Sequence, residues 1–321
     1  MPTMKILVLG GNGFIGSHVI DEIIASGHEA IVMDRYPESF RAPHPDVVYY
    51  KSDFGNLGEL ESVLDAGRYD VVIHLVSSTT PQSSNDDPIF DVQTNLVESI
   101  ALLGICVKHK VRKVVFISSG GTVYGVPQIS PVTESHPTLP QCSYGITKLA
   151  IENYLHLYYL LHGLEYVVLR VSNPYGTRQD PHRKQGAVAV FMYKMLIGED
   201  ITVWGNGSVV RDFVHVSDVA RACLAAAESP FIGTCNVGSG TGLSVRQLIA
   251  TLQEVTGKIA NVNWLESRAF DVPEIVLDCS RAERELSWHP KIELISGLTD
   301  MKKWMAENIL ISTNSPLLNS N

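Results

Sequence analysis

Tyr144 and Lys148 stand four residues apart in the stretch YGITK. On a helix that spacing places both on one face, so a phenol and an ammonium point into the same space. A free phenol, with a pKa of about 10, is a poor base at neutral pH. A neighbouring ammonium favours the phenolate, and bringing the phenol down to neutrality is worth ~4 kcal/mol. Such a pair can withdraw a proton from a hydroxyl. Taken alone, the same pattern also fits a solvated helix face.

Two further stretches move the balance toward chemistry. In VVFISSGGTVYG, Val114 to Gly125, an unbroken run of β-branched and aromatic residues gives way to Ser118, Ser119, Gly120 and Gly121. The run predicts a strand covered on both faces, and the small groups after it clear space while keeping hydroxyls. In LGGNGFIG, Leu9 to Gly16, three glycines (Gly10, Gly13, Gly16) follow an apolar run and open a helix. Gly10 allows a tight turn, Gly13 lets backbone approach a pyrophosphate, and Gly16 lets helix lie against strand. The helix N-terminus then attracts the negative charge. IVMD ends at Asp34, where an acid accepts an adenosine ribose 2′-hydroxyl and repels a 2′-phosphate. Together these stretches predict bound NAD in preference to NADP, with the adjacent Arg35 as the one feature favouring the phosphate. A nucleotide-free α/β domain is the rival reading.

These groups need a frame that gathers strand ends. Lys5–Leu9, Glu29–Met33, Val47–Tyr50, Val71–Val76, Val114–Ile117 and Tyr166–Leu169 read as strands. Gly13–Ser26, Leu57–Leu64, Asp91–Lys108 and Tyr144–His162 read as helices, with Gly27 suited to close the first. The alternation predicts an α/β fold, a doubly wound parallel sheet of Rossmann type with right-handed crossovers. After Val171 the rhythm loosens at Pro174, Gly176 and Pro181. The expected division is a NAD-binding domain over 1–172, a smaller α/β substrate lobe over 173–310, and a loose tail over 311–321. A segment near 208–230, centred on Arg211–Ala227, is expected to thread back through the sheet.

At 321 residues, with 45% hydrophobic and 18% charged, the chain is globular with room for a large core. A net charge of −9 argues against nucleic acid or an anionic membrane as partner, so an anionic ligand needs a local basic pocket. Cys106, Cys142, Cys223, Cys235 and Cys279 lie far apart without a CxxC. That points to a reduced, cytoplasmic protein with no metal site or disulfide framework. No segment is expected to approach the ~20 apolar residues of a membrane span, and KILVLGG is too short for a signal peptide.

GGNGFIG, Asp34, SSGGTVYG and YGITK together resemble the extended short-chain dehydrogenase/reductase family. The branch they resemble is that of nucleotide-sugar epimerases and dehydratases, of the UDP-galactose and UDP-N-acetylglucosamine 4-epimerase type. The likeness runs from Met4 to about Leu310. It implies Tyr144 as base with Lys148 beside it. It implies cofactor contacts from Gly10, Gly13, Phe14, Ile15, Gly16, Asp34, Arg35, Asp53, Phe54, Leu75, Asn95 and Ser118, and from Tyr144 and Lys148 themselves. Substrate contacts are implied for Thr79, Asn173, Arg211, Arg268, Asp271 and Ile275. The arginines would grip the diphosphate of a UDP-linked sugar through charge-assisted bonds. The resemblance also implies a homodimer, joined through the helices Asp91–Lys108 and Tyr144–His162.

Departures from the family pattern refine the expectation. The family places a Ser or Thr four residues before the VYG tyrosine, and Tyr124 counts back to Gly120. Thr122 and Ser119 are the candidates to replace that hydroxyl. Thr122 is expected to point inward, whereas strand alternation turns Ser119 to the other face. Dehydratases of the family carry an acid pair where Gly121 and Thr122 stand, and these cannot do acid–base work near neutral pH. The expected reaction is therefore 4-epimerisation through a 4-keto sugar, with Tyr144 as base and NAD holding the hydride between steps. Ile275 replaces a Tyr that in galactose epimerases limits space beside the sugar C2, which favours an N-acetylhexosamine over a plain hexose. HLVSSTTPQSS replaces the family's small turn after the fourth strand.

Other readings stay open beside these. Asn95 is equally suited to satisfying groups within a buried helix. His74 and His215 read as structural, and Cys142 as wall. His182-Arg183-Lys184 is a solvated charge run or a lid. Dehydratase or reductase chemistry, or an NAD-binding regulator without turnover, are the rival functions.

Overall fold

The computed structural model describes residues 2–182, 186–267 and 272–310. Arg183, Lys184, Arg268, Asp271 and the 311–321 tail lie outside the described residues.

The first half alternates strands and helices: β1 (Lys5–Leu9), α1 (Phe14–Ala25), β2 (Glu29–Asp34), β3 (Val48–Lys51), α2 (Leu57–Asp65) and β4 (Val71–His74). Two short helices follow, α3 (Ser83–Asp86) and α4 (Pro88–Asp91), then a π-helical turn (Val92–Val97) that runs into α5 (Glu98–Lys108). Next come β5 (Lys113–Ser119), α6 (Ser143–His162), β6 (Glu165–Val171) and β7 (Asn173–Tyr175). The second half holds α7 (Ala187–Ile197), β8 (Ile201–Trp204), β9 (Val210–His215), α8 (Val216–Glu228) and β10 (Gly233–Val237). It ends with β11 (Gly242–Ser244), α9 (Val245–Thr256), β12 (Val262–Leu265), β13 (Glu274–Ile275), α10 (Ser280–Leu286) and α11 (Leu294–Met305).

Seven parallel strands form the main sheet in the order β10-β6-β5-β4-β1-β2-β3. This is the expected doubly wound α/β sheet. Alternation along β1 divides its side chains between the two faces. Ile6 and Val8 join the core under α1 and α8, and Leu7 and Leu9 join the core under α2, α5 and α6. Burial of each such side chain contributes roughly 1.5–3 kcal/mol. The chain returns to the sheet through α8, which packs on α1, and through β10, which extends the sheet beyond β6.

Differences from the expected boundaries have local causes. β5 runs on through Ser118 and Ser119 because both still pair with β6, opposite Arg170 and Val171. The helix expected over Asp91–Lys108 is broken by the π turn. Gly27 lies one residue beyond the α1 cap, at φ +75°, and its N–H bonds the Ile24 carbonyl.

Contrary to the expectation about membrane spans, Pro88–Lys108 is long and apolar enough for one by length and composition. It nevertheless packs on α2 and α6 and buries Asp91, Asn95 and Ser99.

Candidate active site

The turn after β1 is shaped by backbone against backbone. Gly10 sits at φ +80°, and its N–H bonds Met33 O at 2.9 Å. A Cβ on Gly16 would overlap Gly10 O and lie 2.6 Å from Gly11 Cα. Gly13 caps α1 with no side-chain hydrogen bond, so the N–H groups of the first turn, at Phe14 and Ile15, keep their positive end open. Asp34, at the end of β2, accepts the Asn12 N–H on one oxygen and the Tyr36 N–H on the other, both at 3.0 Å.

Arg35 lies over the Tyr36 ring at 4.9 Å and 3.9 Å from the exposed Asp53 carboxylate. Phe54 is buried against His74, with centroids 4.9 Å apart. Leu75 ends β4 by donating to Leu9 O at 3.1 Å. The expected cofactor residues thus gather at the C-terminal ends of β1 to β4. An uncapped helix end, a glycine cradle and a carboxylate one strand over are what a dinucleotide requires.

Tyr144 and Lys148 share the first turns of α6. Lys148 Nζ donates to Ile117 O at 2.9 Å, lies over the Phe116 ring at 4.6 Å, and stands 5.6 Å from the Tyr144 ring centre. Burial lowers the Lys148 ammonium to about 8, opposed by the charges of Asp91 and Glu152. Burial pushes the Tyr144 phenol up to about 12, the charges of Cys142 and Asp91 add to this, and a Ser77 hydrogen bond opposes it. Lys148 is therefore protonated at neutral pH, but its charge is spent on a carbonyl and a ring face as well as on the phenol.

Asp91 had no signal in the sequence beyond being polar in an apolar helix. It is fully buried. Its carboxylate accepts from Ser143 Oγ at 2.8 Å, Thr147 Oγ1 at 2.7 Å and Asn95 Nδ2 at 3.1 Å, and also from Thr79 Oγ1. Asn95 Oδ1 accepts the Ser78 N–H at 2.9 Å. Thr79 and Asn95 thus brace the loop after β4 against α6. The π turn that carries Asn95 is a distortion often found at functional sites.

At the end of β5 the hydroxyls diverge. Ser118 donates to Glu152, which also holds Arg170 through two oxygens. Thr122 Oγ1 is buried with no partner among the described residues. A Cβ on Gly120 would lie 2.5 Å from Leu277 Cδ1 and 3.0 Å from Arg170 O. On Gly121 it would meet nothing nearer than Ser119 Oγ at 3.9 Å. Gly120 is small to admit Leu277, and Gly121 is the residue that leaves open space.

Beyond the sheet ends, β9 gathers the substrate-side residues. Asn173 pairs opposite Phe213 and donates its amide to Asp212 O at 3.0 Å, and Ile275 pairs opposite Arg211. Arg211 Nη1 donates to Val210 O and Val272 O, both at 2.8 Å, while Asp212 is buried elsewhere, bonded to Ser239 and Leu277. Ile275 is buried beside Val123, Tyr124, Val132 and Leu277.

Residues 6–238 match the pattern of the NAD dependent epimerase/dehydratase family. The chain belongs to that family. A UDP-glucose 4-epimerase of Thermotoga maritima, solved with UDP-glucose, shares 36% identity, with a TM-score of 0.90 over 95% of this chain and 99% of that one. A UDP-glucose 4-epimerase of Thermus thermophilus, in complex with NAD, shares 33%, with a TM-score of 0.90 over 95% and 100%. A UDP-N-acetylglucosamine 4-epimerase of Methanobrevibacter ruminantium, in complex with UDP-N-acetylmuramic acid, shares 29%, with a TM-score of 0.89 over 96% and 99%.

As a member of the family the protein is an NAD-dependent enzyme. Its two doubtful histidines are each half satisfied. His74 Nε2 meets Ser99 Oγ at 2.9 Å, and His215 Nδ1 accepts the Ser217 N–H at 3.3 Å to cap α8. Burial keeps His74 neutral, at about 3. Cys142 precedes α6 and burial raises its thiol, so it is no nucleophile. His182 stands edge-on to Tyr193 at 4.8 Å.

Proposed function

We propose that the protein is a 4-epimerase of UDP-linked sugars with Tyr144 as base. The observation that carries this reading is the shared face of Tyr144 and Lys148 beside a β5 end that offers no acid pair. With only one base available, removal of water has no acid to drive it, and proton exchange at one hydroxyl is what remains. The three structural neighbours, all UDP-sugar 4-epimerases by name, support the same reading.

The Gly10–Gly16 turn and Asp34 would hold NAD, which would supply reversible hydride acceptance at the sugar C4. Tyr144 takes the C4 hydroxyl proton and later gives it back. Lys148, protonated at neutral pH, holds positive charge near the phenol. Asp34 accepts the adenosine ribose and excludes a 2′-phosphate. Asn173 and Arg211, with Arg268 and Asp271, hold the nucleotide diphosphate and ribose. Thr122 and Ser119 supply hydroxyls at and just beyond the end of β5. Ile275, a branched aliphatic smaller than a phenol, leaves room for an acetamido group and favours UDP-N-acetylhexosamine over UDP-hexose.

A homodimer fits the same reading. Ile89, Phe90 and Val97 on the 88–97 stretch, with Leu157, Leu160 and Leu161 on α6, form an exposed apolar strip on adjoining helices. The test of function is incubation of the purified protein with UDP-glucose and UDP-N-acetylglucosamine, read by sugar chromatography, beside Tyr144→Phe and Ile275→Tyr. Interconversion lost in Tyr144→Phe, and a selective loss of the N-acetylated sugar in Ile275→Tyr, are expected. Undiminished turnover in Tyr144→Phe removes the base. Equal losses on both sugars in Ile275→Tyr place the pocket wall elsewhere.

A further inference from the structure

The first turn of α6 carries the proposed base, yet α6 brings no cap of its own. Cys142, the residue before it, makes no side-chain bond to the opening N–H groups. α1 opens in the same uncapped way, but its open end follows the glycine turn that a dinucleotide requires. On α6 the opening groups meet protein instead. An unpaired N–H in a half-buried turn costs free energy, and the partners that satisfy it come from the segment between β4 and the π turn.

Two residues of α3 accept from the backbone. Ser143 N donates to Asn85 Oδ1 and Tyr144 N to Ser84 Oγ, both at 3.0 Å. Asp91, at the end of α4, accepts from the side chains, Ser143 Oγ at 2.8 Å and Thr147 Oγ1 at 2.7 Å. Those two residues bracket Tyr144, and Thr147 adjoins Lys148. The cap is anchored in turn. Ser84 is fully buried and donates to Pro81 O at 3.2 Å. Asp91 is fully buried and also holds Asn95 Nδ2 and Thr79 Oγ1, so four donors fill the acceptor positions of its carboxylate.

We infer that Asp91, Ser84 and Asn85 are positioning residues, a cap from outside α6 that fixes the direction of Tyr144. The inference rests on Tyr144 being the base. The negative charge of Asp91 opposes ionisation of the phenol, so charge alone would make it a poor neighbour. Its contribution is orientation. The cap acts through the α6 backbone: a first turn free to fray would let the phenol leave the sugar hydroxyl, and a misplacement of about 1 Å can cost ~10²-fold in rate.

The test compares Asn85→Ala, Asn85→Asp, Asp91→Asn, Gly163→Ala and Tyr144→Phe in the full chain, with bound NAD and melting temperature measured in each. Asn85→Ala is expected to lower kcat on a UDP-sugar about tenfold and Asp91→Asn roughly 10²-fold. KM and NAD content stay within about twofold in both, since the loss falls on the chemical step. Asn85→Asp keeps the acceptor and recovers most of the rate on the pH plateau. Gly163 closes the far end of α6 at φ +70°, so a Cβ there strains the same helix away from Tyr144. Gly163→Ala should lower the melting temperature as Asn85→Ala does while keeping kcat.

A second readout needs no turnover. The tyrosinate absorbance that disappears in Tyr144→Phe should emerge at lower pH in Asp91→Asn, although that variant is slower, because the opposing charge is gone. Asn85 is exposed, so its variants carry the test alone if Asp91→Asn does not fold. An equal fall of kcat in Gly163→Ala would reduce the cap to helix stability and overturn its positioning role. If Tyr144→Phe is inactive while Asn85→Ala keeps its rate, the positioning is overturned and the base stands. If Tyr144→Phe keeps its rate, the base reading falls and the positioning with it.

Discussion

The turn after β1 and the turn after β5 both lie at the C-terminal edge of the sheet, and both are rich in glycine. Their glycines answer to different neighbours. In the first, Gly16 is small because the backbone of Gly10 and Gly11, five or six residues away, runs against it. In the second, Gly120 is small because Leu277, from the far end of the chain, enters beside it. A local reason leaves a readable spacing in the sequence. A distant one does not, and the same glycine-rich signature then reads as ligand space when it is packing space.

Gly16→Ala carries the largest expected effect of this contrast. The added Cβ meets backbone that has no rotamer to escape into, so overpacking costs about 3 kcal/mol. The protein should melt roughly 4–5 °C lower by calorimetry and lose its NAD on gel filtration. Gly120→Ser, which restores the hydroxyl expected from the family, should cost about 1–3 kcal/mol without raising kcat. Combining it with Leu277→Ala should recover ~1 kcal/mol relative to the sum of the single changes, and strict additivity would show that Leu277 is not the obstacle.

Asp91→Asn probes the brace that holds α6 over the second turn. Asp91 raises the pKa of both Tyr144 and Lys148, so removing its charge lowers both. Activity needs the phenol able to ionise and the ammonium still protonated. Activity lost as pH falls marks the phenol limb, and activity lost as pH rises marks the ammonium limb, with Lys148 at about 8 before substitution. Both limbs of the pH–rate profile should therefore shift to lower pH. A shift of the two limbs in opposite directions would rule out the charge as the cause. Gly121→Ala has the smallest effect, within ~0.5 kcal/mol by denaturant titration, since open space receives the methyl.

Much of the frame was legible because its signals are local. The strand runs, the glycine triad and Asp34, and the Tyr144–Lys148 spacing each lie within a few turns of chain. The hydrogen-bond hub at Asp91 was not, because a carboxylate in an apolar helix looks the same whether it faces water or four protein donors. HLVSSTTPQSS was visible as unusual, but that Asn95 would hold Ser78 and Asp91 would hold Thr79 is decided by α4 and the π turn together. Ser118, expected at the cofactor, donates to Glu152, one helical turn beyond Lys148 on α6.

The strand β10 has a consequence for how the chain is made. It belongs to the main sheet, yet it follows the residues of β7, α7, β8 and β9 in the chain. A ribosome delivers β1 to β6 first, and β6 then waits with its outer row of amides and carbonyls bare until Gly233 has emerged. During that interval a nascent chain presents an open edge of Glu165–Val171, apolar and ready to pair with any extended segment nearby. A fragment ending before α8 would keep that edge permanently, so truncation at the apparent domain boundary should yield aggregates rather than a free nucleotide-binding half.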